Sequence, residues 1–264
     1  MKTYSFKLYN SKRLMKLHRQ INAAGMTYNH CIALHRRYYR LYKCHLSCYA
    51  LQRHLTKLKK IKRFAYLKEF GSQAVHDVAE RIDRAYRKFF NDLKRGVKTA
   101  PPKFKKVRKY KSFTLKQSGY KFLEDNTVEI NKQRYRYFKS REIEGRIKTV
   151  TVKRDALRDI YVYIVCESEK NQAVARTGKS VGYDFGLKSF LTDDTGTSIA
   201  SPLFFSQGRK AIASANKKLS RKKEGSHNRH KARLALARLH KRVANRRNNF
   251  HWEQASRIAG EYSL

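Results

Sequence analysis

A change in hydrophobic periodicity near residue 100 is the strongest constraint on the fold of this chain. From about Arg13 to Arg95, apolar residues recur every three or four positions, which indicates helices. The run 99–102, Thr-Ala-Pro-Pro, interrupts this pattern, and the following residues up to Cys166 are alternating or β-branched, as in strands. The sequence therefore predicts an α+β fold with a helical part and a strand-rich part.

The clearest predicted helix lies between Ser72, a favoured N-cap residue, and Gly96, a favoured stop. Its apolar positions, spaced three and four apart, would form one face, and arginines and lysines occupy the other. With one or two further helices it would form a bundle with a basic surface. The predicted apolar face consists of Ala74, Val78, Ile82, Ala85, Phe89 and Leu93.

Several short strands follow residue 103, and residues Thr3–Leu8 alternate in the same way. Together they predict a small barrel or sandwich into which the helices are inserted. A polar linker over 167–179 leads to three more predicted strands, at 181–184, 189–192 and 197–200. A strongly basic helical region follows, with helical spacing from Ser226 onward.

Positive charge dominates the composition. The 264 residues include 62 Lys and Arg against 20 Asp and Glu, a formal net charge of +42. No acid precedes Glu69, and 206–249 holds 15 basic residues against one acid, Glu224. A phosphate backbone is the natural partner, because each bound cation releases a counterion. No apolar run reaches membrane-spanning length and no signal peptide is evident, which predicts a cytoplasmic, nucleoid-associated protein without membrane or small-molecule partners.

The four cysteines do not indicate a disulfide scaffold in a chain of this length. Cys44 and Cys48, with His45 and His54 nearby, raise the alternative of a zinc site. Their surroundings have helical character, and two thiols one turn apart supply only half of the four ligands that structural zinc requires. A structural helix is therefore the favoured interpretation.

Two basic clusters are candidate phosphate-binding surfaces. The first, around 103–111, interleaves with Phe104, Tyr110 and Phe113, which would either pack in the core or stack on unpaired bases. The second, 217–223, lacks the acids of an ordinary solvated face, and further basic residues line the helix after it. Trp252 is predicted to lie in the core. The candidate nucleic-acid-binding residues are Lys103, Lys105, Lys106, Lys111, Lys217, Lys218, Arg221, Lys222, Lys223, Arg229, Arg238, Lys241 and Arg246.

Asp184 is the candidate catalytic and metal-binding residue. It ends an apolar predicted strand and precedes Gly186, a residue that permits close backbone approach. Aspartate before glycine is common in ordinary turns, so a turn residue is the alternative. The nearby predicted strands and the basic helix favour a metal-binding carboxylate of the RNase H-like type.

The stretch GKSVGYDFGLKSFLTDDTG (178–196) resembles the first RuvC motif of the TnpB/OrfB insertion-sequence family, which is related to type V CRISPR effectors. Three more stretches resemble the same family in the same order: SQAVHDVAERIDRAYRKFF, PPKFKKVRKYKSFTL and the basic region from KKLSRKKEG onward. Together these matches cover most of the chain from Ser72.

The resemblance implies a domain layout. Residues 1–10 and 100–170 would form a β-barrel wedge domain, with 11–99 inserted as a helical recognition lobe. Residues 178–264 would form the first part of an RNase H-like (RuvC) α/β domain. The resemblance further implies that the printed sequence stops before the strand with the catalytic glutamate. The last RuvC aspartate and the zinc element of the family would also lie beyond it.

The function implied by the resemblance is RNA-guided DNA cleavage, with a guide RNA encoded by the transposon and a target DNA as partners. Members of this family are metal-dependent endonucleases that use Mg²⁺, which is held by several carboxylates. With Asp184 as the single expected RuvC carboxylate, we expect weak or absent Mg²⁺ binding, and binding of RNA and DNA without efficient cleavage. The alternatives are a non-catalytic RNA-guided regulator of DNA and a basic RNA-binding protein.

Overall fold

The computed structural model describes residues 1–167 and 178–262, and the protein is a mixed α/β structure. It divides into two compact units: unit 1 comprises the described residues up to 167, and unit 2 comprises those from 178 onward. Except for its ends, the predicted polar linker over 167–179 lies outside the described residues.

Unit 1 contains four α-helices that form its helical layer. Their bounds are α1 Leu14–Tyr42, α2 Cys48–Leu58, α3 Tyr66–Glu69 and α4 Ser72–Lys94. Helix α4 follows the predicted periodicity, and its Ala74, Val78 and Ile82 are fully buried against α1, α2 and the sheet. The buried stripe ends at Tyr86, so Leu93, predicted to lie on the apolar face, is half exposed. Gly96, with a φ of +70°, follows the helix as expected.

The strands of unit 1 form two antiparallel sheets. Their bounds are β1 Lys2–Lys7, β2 Ser112–Leu115, β3 Tyr120–Leu123, β4 Thr127–Ile130, β5 Gln133–Arg136, β6 Arg146–Arg154 and β7 Ile160–Glu167. One sheet has the order β1-β7-β6-β2 and the other β3-β4-β5. Strand β1 pairs with β7 along its whole length, with Phe6 opposite Val162. The amino terminus therefore joins the strand-rich part, and the helices lie between them in sequence.

The predicted closed barrel is not formed by the described residues. Strands β1 and β2 lie at opposite edges of the four-stranded sheet, and Leu8 opposite Tyr137 is the isolated bridge between the two sheets. Strands β2 to β5 have only four residues each. Such short ladders end before they can continue the hydrogen bonding around a barrel.

Hydrogen bonds from the Asp77–Arg81 ion pair of α4 join this helix to β2. The Asp77 carboxylate, 2% exposed, accepts a hydrogen bond from the Thr114 backbone N–H at 2.9 Å and contacts Arg81 Nε at 2.8 Å. The Arg81 guanidinium also donates to the Ser112 carbonyl at 2.9 Å. Because every partner lies on α4 or β2, this network fixes the helix against the edge of the sheet.

Two pairs of histidines lie in the helical layer, and His35 is the buried member of its pair. His30 Nε2 lies 3.0 Å from His54 Nε2, and His35 Nε2 lies 3.1 Å from His45 Nδ1. His45 and His54 thus have different partners, and Cys44 is exposed. Across residues 1–167 and 178–262, no group of three or more His, Cys, Asp and Glu side chains could hold a metal ion.

The pH dependence of unit 1 stability should reflect His35. Burial, reinforced by the neighbouring His45, lowers the pKa of His35 from 6.5 to about 4. The unfolded chain therefore takes up a proton at this histidine near pH 6.5, whereas the folded protein takes it up only near pH 4. The contribution of His35 to the free energy of unfolding is therefore fully present above pH 6.5 and is lost as the pH falls toward 4.

We expect His35→Gln to weaken this pH dependence, as measured by urea unfolding between pH 7 and roughly pH 4. The matched control is His240→Gln in unit 2, whose side chain is exposed. An unchanged pH profile in the His35 variant would contradict the burial of a neutral imidazole.

Unit 2 combines a small antiparallel sheet with two helices. The strands are β8 Tyr183–Asp184, β9 Ser189–Asp193 and β10 Ser198–Ala200, in the order β10-β9-β8, and the helices are α5 Phe204–Ser220 and α6 His227–Glu261. The three strands lie where the sequence predicts them. None of the helices in the described parts of the chain combines the length and the apolar character needed to cross a membrane.

Candidate nucleic-acid interface

In unit 1, the first basic cluster lies on a segment that is pinned across α1. The Asn29 side chain pairs with the backbone of Lys105 in both directions, accepting from its N–H at 2.9 Å and donating to its carbonyl at 2.8 Å. Nearby, the Tyr28 hydroxyl donates to the Lys103 carbonyl at 3.3 Å. The sequence carries no signal for these two anchors, since they lie within an ordinary amphipathic helix pattern.

The pinned segment exposes most of its predicted phosphate-binding side chains. Lys103, Lys106 and Lys111 are exposed. Lys105 is also partly exposed, but its ammonium group lies 4.5 Å from the centroid of the Tyr28 ring, where burial lowers its pKa. The Lys105 ammonium group is therefore engaged in a cation–π contact within the protein.

The aromatic residues interleaved with this cluster divide into two groups. Tyr110 and Phe113 are buried in the core, so they are not free to stack on bases. Phe104 is 52% exposed, and the Arg36 guanidinium lies 4.7 Å from its ring centroid. Base stacking in this segment is thus limited to Phe104 and its arginine partner.

In unit 2, α5 and α6 form a closely packed pair. A Cβ atom added at Gly208 of α5 would lie 3.0 Å from Val243 Cγ2 of α6, so glycine permits this approach. Next to this contact, Arg246 donates to Gln207 Oε1 at 3.0 Å and lies 5.2 Å from the centroid of the Phe204 ring. The predicted phosphate contact of Arg246 would therefore compete with its role in joining the helices.

The end of α5 and the connection to α6 carry a dense run of exposed positive charge. Five of the predicted residues lie here, and every one of their side chains is exposed: Lys217, Lys218, Arg221, Lys222 and Lys223. The first two are in the last turn of α5, where cations also interact favourably with the helix dipole. The other three extend beyond the helix end. This basic turn, 217–223, is the strongest candidate for phosphate binding.

Arg229 has a structural role at this turn. It is half-buried, and its guanidinium donates to the Lys222 carbonyl at 2.8 Å and the Leu219 carbonyl at 3.4 Å. The Lys222 carbonyl lies just beyond the carboxyl end of α5, and the Leu219 carbonyl, in its last turn, also accepts from the Lys222 N–H at 3.2 Å. Ser226 caps α6 by accepting from the Arg229 N–H at 3.1 Å. Arg229 therefore closes the turn that displays the five exposed cations.

The remaining predicted residues lie along α6. Arg238 is exposed, whereas Lys241 is half-buried. Helix α6 has no buried residue among those described, and Trp252 is 76% exposed. The prediction that Trp252 lies in the core is wrong, because its face of α6 meets no other described element.

Asp184 is exposed at the end of β8, opposite Thr192 of β9. A Cβ atom at Gly186 would lie 2.8 Å from Ser189 Oγ, so the hairpin after Asp184 needs glycine there. Asp193, the nearest acid in the sheet, accepts hydrogen bonds from the Thr195 and Thr197 backbones and closes the β9–β10 turn. The described residues therefore supply Asp184 but no complete Mg²⁺ site around it.

Comparison with known proteins finds a family model and two curated relatives that this chain resembles. Residues 163–264 match the family model OrfB_IS605, whose description is "Probable transposase". A "Putative RNA-guided DNA endonuclease" of Streptomyces pristinaespiralis is 29% identical over 215 residues, covering 78% of this chain and 51% of the relative. These matches support the TnpB/OrfB family that the sequence resembles.

A second TnpB/OrfB relative is the "Putative RNA-guided DNA endonuclease InsQ" of Escherichia coli K12, 28% identical over 211 residues, with 80% of this chain and 51% of the relative covered. The chain spans about half the length of these curated relatives. A solved structure, the "Cryo-EM structure of CRISPR-Cas12f Ternary Complex", aligns with a TM-score of 0.40 and 14% identity over 95% of this chain and 61% of that chain.

Removing the Arg229 side chain should loosen the end of α5. Two hydrogen bonds would be lost, including the one that Arg229 donates to the Lys222 carbonyl, at a net cost of about 1 kcal/mol, or roughly fivefold in local opening. We expect Arg229→Ala to accelerate backbone amide exchange in residues 219–222 by about this factor. Arg233→Ala, an exposed site on the same helix, serves as the control. Equal exchange in the two variants would contradict the structural role of Arg229.

Proposed function

We propose that this chain is the nucleic-acid-binding part of a TnpB-type RNA-guided DNA endonuclease. In this proposal, exposed cations of both units bind the backbones of a transposon-encoded guide RNA and a target DNA. Base pairing supplies sequence recognition, while the protein recognises backbone and shape. The names of the two relatives, which describe RNA-guided DNA endonucleases, support this assignment.

The observation that carries the proposal is the basic turn 217–223. Five cations are exposed within these seven residues, and Glu224 is the one acid in 206–249. Arg229 holds the backbone of this turn from inside. A turn whose backbone is fixed and whose charges remain exposed is suited to phosphate contacts, because less conformational freedom is lost on binding.

Neutralising the basic turn should weaken binding and its salt dependence together. For the triple variant Lys217→Gln, Lys222→Gln and Lys223→Gln, three lost phosphate contacts would reduce the slope of log K against log salt by about 2.7 for a duplex and about 2.1 for a single strand. The measurement is a salt titration of RNA and DNA affinity.

The charge-matched control neutralises Lys94, Arg95 and Lys98, which are exposed near the end of α4. A second control, Asp184→Ala, should leave RNA affinity nearly unchanged, because a single carboxylate contributes nothing to phosphate binding. Equal slope losses in the two triple variants would show that only total charge matters and would refute a specific role for the turn.

We further propose that Asp184 supplies one carboxylate to the RuvC metal site of the family. RuvC chemistry uses divalent ions to activate water and stabilise the leaving oxygen. Its site needs several oxygen ligands, and the described residues near Asp184 offer no group of three. This observation also favours the second candidate function, a regulator that occupies DNA without cutting it.

A cleavage assay tests the catalytic part of the proposal. With guide RNA, target DNA and Mg²⁺, we expect the 264-residue polypeptide to bind without efficient cleavage. Binding is followed in parallel by gel shift, so that an inactive preparation is recognised. Efficient cutting that is abolished by Asp184→Ala would refute the expected lack of cleavage and establish Asp184 as a catalytic residue.

A further inference from the structure

A basic cleft in unit 1 contains no residue of either basic cluster described above. It has a volume of about 770 Å³, within the range of roughly 300–1,000 Å³ that is typical of ligand pockets. Five cations from four separate places line it: Lys16 and Arg19 of α1, Lys68 of α3, Lys121 of β3, and Lys132 in the β4–β5 turn. The acids of its lining are Glu69 and Glu129.

The five cations are not neutralised by the protein. Within residues 1–167 and 178–262, none of them forms an ion pair with a carboxylate. The Glu129 carboxylate instead lies 3.6 Å from Arg134 Nε, and Arg134 is not among the residues that line the cleft. Like charges that converge on one concave surface repel each other, and the concave shape concentrates their field on whatever anion enters.

The floor of the cleft is fixed by Asn131. Its side-chain amide donates to the Phe70 carbonyl at 3.2 Å, and its backbone N–H donates to the Gly119 carbonyl at 2.9 Å. Gln20 completes the connection by donating to the Glu69 carbonyl at 2.7 Å. The start of α4, the β3–β4 hairpin and α1 are thus tied together beneath the cations.

Gly71 makes this arrangement possible. Its φ is +80°, and an added Cβ atom would lie 2.7 Å from Asn131 Oδ1. Any larger residue would therefore be strained and would displace the asparagine. The cleft is held by the fold itself, with the lysines and the arginine around its rim.

We propose that this cleft is a phosphodiester-binding site that holds adjacent phosphates of a nucleic-acid strand. One phosphate group is contacted by two or three cations, whereas five cations distributed around the cleft match adjacent phosphates of a continuous chain. The inference rests on the proposed function, because it assumes that this protein binds nucleic acid, and it adds a binding site that neither basic cluster includes.

Lysine footprinting on the full 264-residue protein tests the site directly. Acetylation of each lysine is measured by mass spectrometry with a single-stranded RNA, with DNA of the same sequence, and with inorganic phosphate at the same phosphate concentration. We expect the polymer to protect Lys16, Lys68, Lys121 and Lys132 at least fivefold, and Lys98 less than twofold. Whether RNA or DNA gives the protection identifies the strand that occupies the cleft.

A variant pair supplies an independent measurement. Arg19→Gln with Lys121→Gln should reduce the single-strand salt slope by about 1.4, which corresponds to two phosphate contacts. The control, Arg95→Gln with Lys98→Gln, removes the same charge beyond the carboxyl end of α4, a helix about 33 Å long by its residue count. Both pairs are exposed, so folding should be preserved.

The outcomes separate the two proposals. Strong binding without protection of the cleft lysines, or equal slope losses in the two variants, overturns the cleft and leaves the proposed function intact. Equal protection by inorganic phosphate also overturns it, because a strand would then be unnecessary. Failure to bind either polymer at moderate salt overturns the proposed function and the cleft with it.

Discussion

Repulsion among unneutralised positive charges is the constraint under which this protein folds. The formal net charge is +42. In unit 1 a continuous core offsets this repulsion, and the buried Asp77–Arg81 pair connects the helices to the sheet. In the described part of unit 2, the buried apolar residues are Leu191 and Ile212. Unit 2 therefore has little apolar burial with which to offset its own charge.

This difference connects stability to function. A polyanion that binds only the folded protein stabilises it by mass action and also screens the repulsion between cations. Unit 2, with its basic turn and small core, should gain more from such binding than unit 1. Its exposed Phe185, Leu187 and Trp252 show that much apolar surface on this unit is also uncovered.

Local patterns predicted local structure well. Helix α4 and the three strands of unit 2 could be predicted because each depends on periodicity and on neighbouring turn residues. The barrel could not, because closure depends on pairing between distant edges, which four-residue strands do not sustain. Trp252 was misplaced for a similar reason, since burial of one helix face requires a partner element that periodicity does not specify.

The candidate site likewise has features that the sequence predicts and features that only the three-dimensional contacts show. Runs of lysine identified the basic turn, but the cap formed by Arg229 became visible only through its contacts with the end of α5. Lysine counting also could not show that Lys105 packs on Tyr28. The cleft residues lie far apart in sequence, from Lys16 to Lys132, and only the fold brings them together.

The salt dependence of RNA affinity tests most directly whether exposed cations bind a phosphate backbone. With six or more phosphate contacts on a single strand, raising the salt concentration from about 50 mM to 200 mM should reduce the affinity of the unmodified chain by about 300-fold or more. A loss of less than about tenfold over this range would mean that few phosphates are contacted, and it would contradict the account.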